Sequence, residues 1–139
     1  LPSNDKQLVS LIQGIKKLRV IMRSEHSKGR VDSQVFAAED KRLEKLQLRI
    51  NIESQIKRGL SASSASMVGS ARQYFEKAYA TLSAVTYSDE YVNAKRQEVE
   101  AYLEEISTEL KASNATALKK KAEAEQDDLD VLFAPKKKW

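Results

Sequence analysis

Pro2 and Pro135 are the only prolines in the 139 residues, and the four glycines are scattered. Nothing between those two prolines is barred from a helix by a missing N–H or a fixed φ. Along this stretch apolar residues recur at alternating steps of three and four, the spacing that keeps one side of a 3.6-residue helix apolar. Val68, Ala71, Phe75, Ala78, Leu82 and Val85 follow that alternation without a miss. The pattern predicts an all-α chain: an antiparallel helical bundle of about four helices, or a long coiled-coil hairpin, with a C-terminal tail.

The first stripe is Leu8, Leu11, Ile15, Leu18 and Met22, widened by Ile12 and Ile21. Ser3 or Asn4 is the expected cap, and "SKG" with Gly29 the expected stop. His26 then falls in the last turn, as a solvent-facing end residue near the negative pole of the helix. A second helix is expected from Asp32 or Ser33 to about Gly59. It carries two apolar faces, Phe36, Leu43, Leu46 and Ile50 on one and Leu48, Ile52 and Ile56 on the other. A helix apolar on two sides meets neighbours on both, so Leu48, Ile52 and Ile56 are either bundle interior or an oligomer face. "LSASSASMVGS" reads as a linker.

The third helix follows with Tyr74 and Tyr79 beside its seam. Its "ARQYFEKAYATL" resembles one helix of a tetratricopeptide unit, but no second copy follows at that period. The fourth stripe is Val92, Val99, Leu103, Ile106 and Leu110. "SDEY" suggests its start, with Ser88 as cap and Asp89 and Glu90 complementing the dipole. A break near Tyr87 is favoured over one continuous helix, because polar residues interrupt the seam there. The expected organisation is a helical domain over 1–111, a polar helical extension or spacer over 112–126, and an interaction tail over 127–139.

Composition removes most chemistry. There is no cysteine and one histidine, so thiolate nucleophiles, thiolate metal sites and Glu-x-x-His di-iron sites are excluded. No phosphate-binding glycine loop, dinucleotide fingerprint or nucleophile elbow occurs. The acids lie among lysines and arginines, as on solvated helix faces. Glu39 and Glu53 differ, falling at core-like spacing, where each would pair with a cation of another helix or mark a wet edge. No enzymatic activity, cofactor or metal is expected. The chain begins at Leu1 rather than a methionine and is read as a trimmed or processed product, which leaves an upstream leader or anchor open.

The greasiest short segment is the last, "DDLDVLFAPKKKW". Asp127, Asp128 and Asp130 are expected to open a helical turn with Leu129, Leu132 and Phe133 on one face, closed by Pro135. Asp128, Leu129, Leu132, Phe133, Lys136, Lys137, Lys138 and Trp139 are therefore the candidate partner-binding residues, the alternative being that this segment folds back as a last turn over a groove of the bundle. The expectation is a cytoplasmic, non-enzymatic interaction or scaffold module that self-associates or binds a protein partner through this tail. Two alternatives rest on charge. "IKKLR", "QIKRGL" and "ALKKKAEAE" are basic clusters that would suit a nucleic-acid accessory role, and the cationic tail would suit an anionic membrane surface.

Overall fold

The computed structural model describes residues 5–133. It holds four helices, α1 (Asp5–Ser27), α2 (Ser33–Ser64), α3 (Val68–Ser83) and α4 (Glu90–Phe133), and no strand among the described residues. The chain is an all-α helical bundle, in line with its periodicity. It divides into two compact units, residues 1–100 and 101–139. The first contains α1, α2, α3 and the beginning of α4.

Each helix end has a chemical cause. Gly29 closes α1 at φ +70°, the left-handed region where a residue without Cβ is unstrained. Its N–H donates to the His26 carbonyl at 3.0 Å, and the N–H of Arg30 to that of Glu25 at 2.9 Å. This paired closure satisfies two carbonyls the helix leaves open. The expected caps Ser3 and Asn4 lie outside the described residues. His26 is in the last turn, as expected, but it is half-buried rather than solvent-facing. Its ring stacks on Phe36 at 4.4 Å, and its Nε2 lies 3.0 Å from Ser33 Oγ. The histidine therefore helps fasten the end of α1 to the start of α2.

Asp32 caps α2, its Oδ2 accepting from the N–H groups of Gln34 and Val35 at 3.0 and 3.2 Å. The helix does not stop near Gly59. It continues to Ser64, so much of the expected linker is helical and the connection shrinks to Ala65–Met67. The reason is contact: a Cβ on Gly59 would sit 2.5 Å from Phe75 Cε1. Glycine is needed there so that the Phe75 ring can lie against the α2 backbone. The closure after α2 repeats that after α1, with Ser66 at φ 61° in the glycine position. Met67 N–H donates to the Ala62 carbonyl at 2.8 Å and Ser66 N–H to that of Ser63 at 3.0 Å.

The seam of α3 is as read: Ala71, Phe75, Ala78 and Leu82 are buried. The break near Tyr87 is present, with residues 84–89 outside any helix. Its cap is Asp89 rather than Ser88, because Asp89 Oδ1 accepts from Tyr91 N–H at 2.8 Å and Val92 N–H at 3.4 Å. Arg96 Nη2 donates to the Leu82 carbonyl at 3.0 Å, satisfying an acceptor at the end of α3.

Ion pairs fix the register. Asp5 with Arg58 and Arg19 with Asp40 make α1 antiparallel to α2. Lys45 with Asp89 and Glu53 with Lys95 make the start of α4 run along α2 in the same direction. The principal neighbours of α2 are α1 and α3. Leu8 and Ile15 meet Leu43 and Ile50, with Ile12 and Met22 packed beside them. Ile52 and Ile56 are buried inside the chain and Leu48 is half-buried. The bundle itself thus occupies this face of α2, the bundle-interior alternative of the two its spacing offered. Leu11, Leu18 and Leu46, expected in the core, are 38%, 44% and 39% exposed. With α2 as its main neighbour, α1 has only a narrow stripe covered, centred on Leu8 and Ile15.

Candidate interaction surfaces

Two polar clusters lie within the first unit, and both hold helices together. Arg19 Nε and Nη2 donate to Asp40 Oδ1 and Oδ2 at 2.9 and 3.2 Å, a two-pronged ion pair, while Nη1 donates to Gln47 Oε1 at 3.2 Å. The hydrogen bond from Arg19 holds the Asp40 carboxyl below its ordinary value, against partial burial. The same bond raises Arg19.

The second cluster joins α2 to α4. Tyr91 Oη donates to Glu53 Oε1 at 2.7 Å, and Lys95 Nζ bridges Glu53 at 3.1 Å and Glu98 at 3.0 Å. Burial pushes Glu53 up, but the bonds from Tyr91 and Lys95 and the charges of Lys95 and Arg49 outweigh it, and its pKa falls. Burial, then the bond to Glu53, pushes Tyr91 up, so the phenol stays a donor. Glu53 thus pairs across helices, as its spacing suggested. Glu39 instead pairs with Arg42 of its own helix at 2.9 Å. A general acid or base needs a pKa moved toward neutrality. These carboxylates are moved away from it.

Aromatic faces take up further cations. Lys41 and Lys45 lie 4.6 and 5.2 Å from the Tyr87 ring centroid, and Arg49 lies 4.7 Å from that of Tyr91. The grooves of the first unit are open. One of about 300 Å³ is lined by Arg19, Glu44, Gln47, Asn51 and Thr81 among others. Another of about 510 Å³ includes Arg58, Ser61, Ser70 and Tyr74. Among the described residues no three His, Cys, Asp or Glu side chains group to hold a metal, and no helix is long and apolar enough to cross a membrane.

The basic clusters fare unevenly as phosphate sites. In "IKKLR" Arg19 is engaged by Asp40, and in "QIKRGL" Arg58 lies 3.7 Å from Asp5. Lys119, Lys120 and Lys121 sit on an exposed helical stretch of the second unit.

The expected tail residues fall at the end of α4. Residues 112–133 are helical and exposed throughout. Asp127, Asp128 and Asp130 do not open a new turn; they lie inside the last turns of α4, where no N-terminal dipole is available to them. Gln126 Nε2 donates to Asp130 Oδ1 at 3.1 Å, along the helix. Leu129, Leu132 and Phe133 keep their i, i+3, i+4 spacing and are 48%, 74% and 77% exposed, with Val131 beside them at 79%. Lys136, Lys137, Lys138 and Trp139, together with Pro135, lie outside the described residues.

A second apolar surface escaped the sequence reading. Leu11, Leu18 and Ile21 of α1 are all exposed, although their spacing resembles that of a buried stripe. The available signal was surplus: α1 has more apolar residues than one neighbouring helix can cover. Comparison with protein-family models, with curated proteins and with solved structures found no match.

Proposed function

We propose that the chain is a non-enzymatic interaction module whose α4 end, from Glu123 to Phe133, docks as an acidic amphipathic helix on a protein partner. The observation that carries this reading is the exposure of Leu129, Val131, Leu132 and Phe133 within one helix. Isolated exposed apolar residues are ordinary, but three large ones on one helix face, with Val131 exposed on another side, make a recognition patch. Leu129, Leu132 and Phe133 act as anchors, and Asp128 faces a basic rim on the partner. The polar clusters of the first unit support the same reading, since their pKa shifts serve cohesion and not proton transfer.

The test is a chain ended at Gln126. A docking helix predicts a Tm within about 1 °C of the full chain, because solvated residues contribute little to stability, and loss of the partner captured through the intact end. A clearly lower Tm with the partner still captured would overturn the reading. Raising salt should weaken capture only modestly. A steep loss between about 50 and 200 mM would point to phosphate contacts instead.

A further inference from the structure

We propose that the acidic apolar end of α4 in one copy docks on the exposed apolar edge of α1 in a second copy. This rests on the reading above and names its partner. On α1, Leu11, Gly14, Leu18 and Ile21 follow steps of three, four and three, beside the buried stripe of Leu8 and Ile15. At 100° per residue they share an arc of about 80°, and Leu11 to Ile21 spans about 15 Å. An added Cβ at Gly14 would meet nothing within 4 Å, so the middle of this edge is open. Lys6 and Lys17 lie along its outer side, three turns apart. From Lys6 to Arg23 the helix carries five cations, Lys6, Lys16, Lys17, Arg19 and Arg23, and no acid.

The end of α4 is the complement. Ala122, Leu129, Leu132 and Phe133 share an arc of about 100°, and Ala122 to Phe133 spans about 17 Å. Asp128 borders that arc and Glu125 lies within it, and residues 122–133 include Glu123, Asp127 and Asp130 as well, with no lysine or arginine. The two surfaces match in length, both expose large apolar side chains, and their charges are opposite. Apolar matching supplies contact, while opposite charge selects partner and orientation. Each copy owns one of each surface. Two copies make two equivalent contacts about a two-fold axis, which closes the assembly.

Charge exchange tests this without disturbing either core, since all four chosen residues are exposed. At about 50 μM, sedimentation equilibrium of the full chain should give twice the 15.7 kDa chain mass. E125K/D128K should weaken self-association at least tenfold, and so should K6E/K17E, because each places like charges along the contact. Mixing the two double variants makes both contacts complementary again, and a one-to-one dimer should return. A full chain that stays monomeric, double variants that still dimerise, or a mixture that fails to associate would each overturn the proposal. Tail-dependent capture of a different protein by a monomeric chain would overturn only this inference and leave the docking role of the α4 end standing.

Discussion

Phe75 is 1% exposed, and the absence of a side chain at Gly59 is what lets its ring settle. Gly59→Ala is normally favourable inside a helix, by about 1 kcal/mol. Here the new methyl would enter the ring, and a packed core resists such an insertion by roughly 1–3 kcal/mol. The expected outcome is a lower urea midpoint for Gly59→Ala, and an unchanged or raised one would show that the ring moves freely. Ser66 is the opposite case. Its φ of 61° is uncomfortable for a residue with a Cβ, so Ser66→Gly should stabilise by about 0.5–1 kcal/mol despite glycine's added chain entropy. Thermal melting checks this, and a lower Tm would contradict it. Gly59 was read as the end of α2 and Ser66 as part of a linker, because small residues signal a turn and a close approach alike. Leu46 and Phe75 read as equal core members on spacing alone. The structure separates them at 39% and 1% exposed, so Phe75→Asp should unfold the bundle and Leu46→Asp should be tolerated.

At the scale of the helix, what was legible is what depends on local chemistry. The α3 seam, the Gly29 stop, the Asp32 cap and the break before α4 all follow from near neighbours in the chain. What was not legible depends on how many helices surround a given one. The apolar residues of α1 were read as a single buried stripe, yet Leu11, Leu18 and Ile21 stand open because α2 covers only one side. The two faces of α2 were read correctly except at Leu46, but whether Ile52 and Ile56 met the same chain or another required the position of α3. The α4 end was read as a new turn because three aspartates resemble a helix start. The Ala-, Lys- and Glu-rich residues before them have enough helix propensity to carry α4 through. The α4 cap gives a direct test at this scale. Asp89→Ala removes the acceptor for the Tyr91 and Val92 N–H groups and should cost about 1 kcal/mol. Ser88→Ala should change little, and equal effects of the two in thermal melts would misplace the cap.

Across the first unit, two carboxylates tie α2 to different neighbours, Asp40 to Arg19 of α1 and Glu53 to Tyr91 and Lys95 of α4. Both have pKa values below the ordinary 3.8 and 4.5. A group whose folded pKa is depressed adds stability that is complete above its unfolded value and disappears as pH falls through the folded one. These two groups should therefore leave stability level from about pH 7 to pH 5 and withdraw their contribution below about pH 4. Tyr91 and Lys95 are both shifted upward, so neither loses its donor proton in that window. Asp40→Asn/Glu53→Gln keeps size and polarity while removing both charges. Its urea midpoint should lie below that of the native chain at pH 7 and hold nearly level on acidification as far as these sites decide it. The native midpoint should fall toward it as pH drops below about 4. A gap that stayed constant from pH 7 to pH 3 would show that the two carboxylates act by shape and neutral hydrogen bonding, and that charge is not what ties α2 to its neighbours.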